Sequence, residues 1–161
     1  MSRKKMSVLL RMIIGLVILA AVVFFFLFLP FYGSEMVRCY PEYSWAYYPC
    51  LAFAWVFALP LFVTVFPAWQ IVGTIKNMGE AFSLSNAKRF LTIAFCLCAS
   101  GFIFPIGVII LAFLGAGTAP MTLVVSPLVF LGMNSLSFLC YVISRLVKEA
   151  AEIREENELT V

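Results

Sequence analysis

The stretch from Phe90 to Ser144, FLTIAFCLCASGFIFPIGVIILAFLGAGTAPMTLVVSPLVFLGMNSLSFLCYVIS, contains no charged residue. About 20 apolar residues are enough to span the hydrocarbon core of a bilayer as a helix, so this stretch is long enough to cross twice. Gly115, Gly117 and Pro120 lie near its middle, and residues of these types mark turns. The stretch therefore predicts two membrane spans, at about 90–114 and 121–144.

Two further charge-free stretches predict one span each. They run from Met12 to Ser34 and from Tyr43 to Ile75, and they place spans at about 9–29 and 50–72. The whole chain is 64% hydrophobic and only 12% charged, whereas a soluble domain carries about 25% charged residues. The runs are apolar on all sides, which favours helices over the alternating strands of a membrane β-barrel. We predict one all-α domain over 1–161, an integral membrane four-helix bundle.

The N-terminal segment has some features of a secretory signal peptide. Arg3, Lys4 and Lys5 form a positive region before the first apolar run. That run is longer than the usual signal-peptide core of about 7–15 residues, and no A-x-A-like cleavage site follows it. The first span is therefore expected to remain as a membrane helix.

Basic residues predict the orientation of the four spans. Arg38 is the one Lys or Arg on the side of the 30–49 segment, and the other side holds the remainder: Arg3, Lys4, Lys5, Arg11, Lys76, Lys88, Arg89, Arg145, Lys148 and Arg154. Lys and Arg are enriched in cytoplasmic segments of membrane proteins. Both termini and the 73–89 segment are therefore expected to be cytoplasmic.

The exterior segment, about 30–49, is rich in tyrosine. It is interpreted either as an aromatic belt at the membrane surface or as a small recognition surface for a peptide or a lipid headgroup. Cys39 and Cys50 both belong to this side. Disulfides persist outside the cytoplasm, so a bridge between these two residues is an alternative to two free thiols.

The residues of catalysis and metal binding are scarce. The chain has no histidine, which removes the commonest general base and metal ligand. No acidic residue falls within a predicted span, which disfavours a buried proton relay. Cys96 and Cys98 are two residues apart, so on a helix they point to different faces. We predict a non-enzymatic protein with no cofactor and no metal site.

Asn134 is the most polar side chain near the middle of a predicted span. Such groups usually form hydrogen bonds between helices, and a contact to a ligand is the alternative. Ala94, Cys98 and Gly101 share one face of the third span, where small residues permit close helix packing.

The segment between the second and third spans contains candidate docking residues for a partner. Ser83 or Ser85 is placed to cap the helix that follows, and Phe82 precedes the cap as a hydrophobic staple. Asn86 and Lys88 occupy the first turns of that helix. The segment is predicted to be an ordered inner loop that a cytoplasmic protein reads through Phe82, Ser83, Asn86 and Lys88.

The C-terminal tail, 145–161, is predicted to continue the last span as a helix. Apolar residues recur at helical spacing among charged ones, namely Ile143, Leu146, Val147, Ala150 and Ile153. The interpretations are a helix end lying on the membrane or a docking face for a protein, with the candidate docking residues Glu156, Asn157, Leu159, Thr160 and Val161. The tip is acidic, so direct binding to nucleic acid is not expected.

Two motifs give the chain a family resemblance. They are the inner loop Ala81-Phe82-Ser83 followed by Asn86-x-Lys88, and the tail ending Glu156-Asn157-Glu158-Leu159-Thr160-Val161. With them, the chain resembles the YoaS-like group, a bacterial family of small four-span membrane proteins of unknown function. The family ending has Asp and Ile where this chain has Glu158 and Val161. The resemblance implies that the protein lies in the bacterial plasma membrane. It also implies that its gene lies beside a gene for a helix-turn-helix regulator.

Three functions remain open from the sequence. The leading hypothesis is a regulatory or sensory membrane protein that docks a cytoplasmic partner, such as a helix-turn-helix regulator. The second is a small transporter or channel subunit that forms a pore as a homo-oligomer around Asn134. The third is a stress or immunity protein that protects the bilayer from a peptide through the 30–49 segment.

Overall fold

The protein is described by a computed structural model that covers residues 3–74, 82–116 and 120–159. The first long helix consists of α1 (Arg3–Val22), a π-helix (Val23–Phe28) and α2 (Leu29–Cys39). A 3-10 helix (Pro41–Ala46) then leads into α3 (Tyr47–Thr74), which is followed by α4 (Leu84–Phe113) and α5 (Pro120–Leu159). Over these residues the structure contains helices and no strand.

Four of these helical stretches are long and apolar enough to cross a membrane. They are Lys5–Cys39, Pro41–Thr74, Leu84–Phe113 and Val124–Glu156. The predicted all-α architecture with four spans is confirmed. Prolines at positions 60, 67, 105 and 127 lie inside α3, α4 and α5 without ending them.

The predicted exterior segment, 30–49, differs from the structure. It is helical to Cys39 and resumes as a 3-10 helix at Pro41. A proline ring clashes with the carbonyl four residues back in a regular α-helix. The π-helix forms a wider turn just before Pro30. In this turn the N–H of Leu29 bonds to the carbonyl of Phe24, five residues back. The helix therefore continues past the proline.

The helices pack in chain order. α4 and α5 have the most extensive contact, α3 and α4 the next, and the first helix meets α3 with fewer close backbone contacts. Hydrogen bonds join Ser7 to Val72 and Ser144 to Ala87. These bonds place the start of α1, the end of α3, the start of α4 and the final part of α5 at one end, here called the basic end. The opposite end, around residues 39–47, is called the aromatic end.

Candidate docking site at the basic end

Asn86 joins the last turn of α3 to the first turn of α4. Its Nδ2 donates to Thr74 Oγ1 at 2.7 Å, and its Oδ1 accepts from an Arg89 guanidinium nitrogen at 2.6 Å. The Nε of Arg89 donates to Gln70 Oε1 at 2.8 Å. Two adjacent turns of α3 are thus tied to two turns of α4. The network fixes the points where the chain leaves α3 and enters α4.

Ser83 is the N-cap of α4, as one of the two predicted alternatives. Its backbone is extended, with φ −123° and ψ 152°, and its Oγ accepts a hydrogen bond from the N–H of Asn86 at 3.3 Å. This bond satisfies one of the four N–H groups that a helix start leaves free. Ser83 is half-buried, and its role is to begin the helix.

The predicted loop residues divide into surface and interior. Phe82 is 50% exposed and Lys88 is exposed, so both are accessible to a partner. Asn86 is only 1% exposed. Its side chain bonds inward to Thr74 and Arg89, so Asn86 holds α3 and α4 together, and its part in docking stays a prediction.

The first helix completes the basic end. Ser7 is fully buried, and its Oγ donates to the carbonyl of Val72 at 3.1 Å. The guanidinium carbon of Arg11 lies 5.5 Å from the centre of the Trp69 ring, a cation–π contact. Gly73 makes this approach possible, because a Cβ at that position would lie 3.2 Å from an Arg11 guanidinium nitrogen.

The sequence did not identify Gln70, Thr74, Arg89, Ser7 or Trp69 as members of this cluster. The sequence does contain a pattern that indicates this cluster. Polar residues at 70 and 74 end one span, and polar residues at 86 and 89 begin the next. Antiparallel neighbours joined by a short connection bring such pairs to the same depth.

The tail is a direct continuation of α5. Val147 and Ala151 are 8% and 9% exposed, whereas Leu146 and Ile153 are each 59% exposed. Within the predicted apolar stripe, Val147 packs inward, whereas Leu146 and Ile153 face outward; Ala151 is a buried residue outside that stripe. Lys148 and Glu152 form an ion pair at 3.5 Å on the exposed side. Glu156 is exposed, Asn157 and Leu159 are helical, and Thr160 and Val161 lie outside the described residues.

Asn134 belongs to the seam between α4 and α5. Its Nδ2 donates to the carbonyl of Phe130 at 2.7 Å, and its Oδ1 accepts from the Cys98 thiol at 3.6 Å. One contact is within its own helix and the other is between helices, which agrees with the predicted helix-bonding role. The alternative, a contact to a ligand, stays a prediction.

Serines and small residues form the rest of the seam. Ser137 donates to the carbonyl of Ala94 and Ser144 to that of Ala87, each at 2.7 Å. Ala94 is buried, and Gly101 is buried at a point where a Cβ would lie 2.6 Å from Asn134 Nδ2. The predicted close packing on the Ala94 and Gly101 face is confirmed.

The cysteines and the acidic side chains bear on the possible disulfide and on metal binding. Cys39 and Cys50 are both exposed and both free, so the disulfide that the sequence left open is not formed in the structure. Within 3–74, 82–116 and 120–159, no group of three or more Cys, Asp or Glu side chains is placed to hold a metal ion.

Comparisons with known proteins agree with this architecture. Residues 33–161 match the family described as "Protein of unknown function (DUF2975)". The chain is also 23% identical over 150 residues to "Uncharacterized membrane protein YoaS" of Bacillus subtilis (strain 168), a match that covers 92% of this chain and 91% of that protein. No solved structure matches the chain. The chain therefore belongs to the DUF2975 family of membrane proteins of unknown function.

Proposed function

We propose that this protein is a non-enzymatic regulatory or sensory protein of the bacterial plasma membrane, with both termini in the cytoplasm. It holds a cytoplasmic protein against the basic end, on a surface formed by the tail of α5 and the exposed start of α4. A helix-turn-helix regulator is the partner class that the family resemblance suggests.

The observation that carries the proposal is the length of α5. This helix has 40 residues, which at 1.5 Å per residue is about 60 Å, roughly twice the 30 Å hydrocarbon core. About 15 of these residues follow Ser144, so the helix extends roughly 22 Å past the last apolar stretch. A helix of this length presents side chains at a fixed position relative to the membrane.

The exposed side of the tail has the composition of a docking helix. Leu146 and Ile153 are seven residues apart, so they lie on one face two turns apart, and both are 59% exposed. Charged residues surround them and keep the helix soluble beyond the bilayer. Helices that enter the groove of a partner present apolar anchors at this kind of spacing.

The start of α4 lies close enough to contribute to the same surface. The bond from Ser144 to the carbonyl of Ala87 places the first turns of α4 beside the point where α5 leaves the apolar stretch. Phe82 and Lys88 are among the exposed side chains there. Their proposed role is to extend the docking surface by one apolar and one basic contact.

The test compares partner capture by variants of the intact, membrane-embedded chain. We expect the cytoplasmic protein recovered with the wild type to be lost after truncation at Lys148. The substitution Ile153→Ser should weaken binding of that purified partner by about tenfold, since truncating an interface anchor costs about 1–2 kcal/mol.

Glu155→Ser is the matched control, because Glu155 is exposed on another side of the same helix. Equal partner binding by the truncated and intact chains would show that the tail has no part in docking.

The orientation of the protein in the membrane is tested separately. A green fluorescent protein fused to the C-terminus should fluoresce, and an alkaline phosphatase fused there should be inactive. The reverse result would reject a cytoplasmic docking site.

A further inference from the structure

Two apolar cavities follow one another along the first helix. The upper cavity, nearer the aromatic end, has a volume of about 280 Å³ and is lined by α2, the 3-10 helix and the start of α3. The deeper cavity has a volume of about 380 Å³ and is lined by the π-helix, α3 and α4, and both cavities are open on one side. Leu29 and Cys50 line both cavities. The two are therefore adjoining parts of one cleft.

The lining of the cleft changes with depth. The deeper cavity is walled mainly by phenylalanines, namely Phe24, Phe25, Phe53, Phe57 and Phe104. The upper cavity adds the tyrosines Tyr40, Tyr43 and Tyr47. Tyr47 already bonds to the carbonyl of Pro30 at 3.3 Å. Tyr40 and Tyr43 are 54% and 51% exposed, so both residues lie at the rim. The cleft is apolar below and polar at its mouth.

The length of the cleft matches one bilayer leaflet. Along α3 its walls run from Ala46 to Phe57, which is roughly 16 Å at 1.5 Å per residue. Half of the hydrocarbon core is about 15 Å. Tyrosine side chains are enriched at the level of lipid headgroups, which is where Tyr40 and Tyr43 would lie.

The π-helix shapes the deeper wall of this cleft. Its hydrogen-bond pattern would have the carbonyl of Phe25 accept from residue 30, but Pro30 has no N–H. Trp55 Nε1 donates to that carbonyl instead, at 3.2 Å. The π turn is therefore held in place by a contact to α3, and it carries Phe24 and Phe25 into the cavity wall. Single π turns within helices occur frequently at functional sites.

We propose that this cleft binds a single-chain amphiphile, with its hydrocarbon tail among the phenylalanines and its polar head between Tyr40 and Tyr43. An apolar cavity at membrane depth excludes water and favours hydrocarbon. Along the first helix and α3 the lining residues of the two cavities follow one another, which gives the cleft the length of a single hydrocarbon chain. Its combination of apolar walls and few polar groups is that of a small-molecule site.

Cys50 provides a direct measurement, because its thiol lies in the wall shared by both cavities. Two single-thiol forms of the full chain, retaining only Cys50 or only Cys39, are held in amphipol and treated with N-ethylmaleimide. Palmitate at about ten times its Kd should slow modification of Cys50 about tenfold, because only about one site in eleven is then unoccupied. Octanoate, which is too short to fill the cleft, should give little protection at the same concentration.

Cys39 is the internal control, since it is exposed and does not line the cleft. A second pair of variants tests the deeper cavity: Ala54→Trp fills it, whereas Ala52→Trp places the same ring on an exposed position of α3. Radiolabelled palmitate should bind about tenfold more weakly to the first variant and normally to the second.

Three results would overturn the proposal: equal protection of Cys39 and Cys50, equal binding by the two tryptophan variants, or protection by phosphatidylcholine without protection by palmitate. The form that retains only Cys50 keeps every residue that lines the two cavities, so its protection by palmitate remains decisive if Ala54→Trp does not fold.

Discussion

Two helix interfaces in this protein use different side chains. α4 and α5 meet through small residues and serines, with bonds of 2.7 Å from Ser137 and Ser144 to backbone carbonyls of α4. Beyond its first turns, where Ser7 bonds to the carbonyl of Val72, the first helix meets α3 through aromatic rings, such as Phe26 with Trp55 at 6.0 Å and Phe25 with Phe62 at 6.1 Å. The first interface brings backbones close together, whereas the aromatic part of the second is flanked by cavities.

The difference follows from what holds helices together in lipid. Apolar side chains gain little by leaving lipid for another apolar surface, so close backbone packing and interhelical hydrogen bonds supply most of the stability. The α4–α5 interface has both. Large rings cannot fill the space beside the first helix completely, which leaves room for a guest molecule. One half of the molecule is thus a fixed support, and the other half is adaptable.

The substitution Gly101→Leu should have the largest effect on stability. A Cβ at Gly101 would lie 2.6 Å from Asn134 Nδ2 and 3.2 Å from the Cβ of Met133, which has little freedom to move. Overpacking of this kind costs about 1–3 kcal/mol. We expect a loss near the upper end in the free energy of unfolding, measured by denaturant titration in mixed micelles.

Gly132→Leu is the control for this change, because a Cβ at Gly132 would meet nothing within 4 Å. The control should unfold like the wild type. If both variants lose the same stability, glycine itself and not close packing is what the helix requires, and the contrast between the two interfaces disappears.

The substitution Trp55→Phe should have an intermediate effect, and it tests the adaptable interface. It keeps an aromatic ring beside Phe26 but removes the N–H that satisfies the carbonyl of Phe25. An orphaned carbonyl costs about 1–3 kcal/mol. We expect a loss of about 1–2 kcal/mol in the free energy of unfolding, with faster hydrogen exchange of amides in 23–30. An unchanged exchange rate would show that the π turn does not depend on α3; Trp45→Phe, at an exposed position, is the control.

The substitutions Ser137→Ala and Ser144→Ala should have the smallest individual effects. Each removes a hydrogen bond to a carbonyl on α4, and such bonds between membrane helices contribute about 0.6 kcal/mol on average. The two sites are seven residues apart, so we expect their losses to add. Ser135→Ala, at an exposed position, should leave stability unchanged. A double variant as stable as the wild type would mean that packing alone holds this interface.

Charge distribution was sufficient to predict the four spans, because a bilayer penalises any charge within a helix regardless of the details of packing. It could not predict that the first helix continues to Cys39. A proline such as Pro30 normally indicates the end of a helix. The π turn that compensates for it accepts a hydrogen bond from Trp55, which is 30 residues away in sequence. Proline rules act locally, whereas this helix is completed by its neighbour.

The candidate site was predictable in part. Ser83 was one of the two helix caps that local chemistry predicted, and Phe82 and Lys88 are exposed. The role of Asn86 was not predictable from local chemistry, because a polar residue near a helix start is usually solvated. The hydrogen bond from Asn86 to Thr74 forms only after α3 and α4 pack side by side, whereas Arg89 lies one turn further along the same helix.

The two serine bonds on α5 also restrict how this helix can move. Ser137 and Ser144 are spaced by seven residues, as are their acceptors Ala94 and Ala87, so one axial register satisfies both bonds. Sliding α5 by one helical turn, about 5.4 Å, would break both at once and bring larger side chains against Gly101. A piston stroke along the membrane normal is therefore costly. Tilting and bending remain available, and over the length of the tail a small change in tilt becomes a large sideways displacement at its tip.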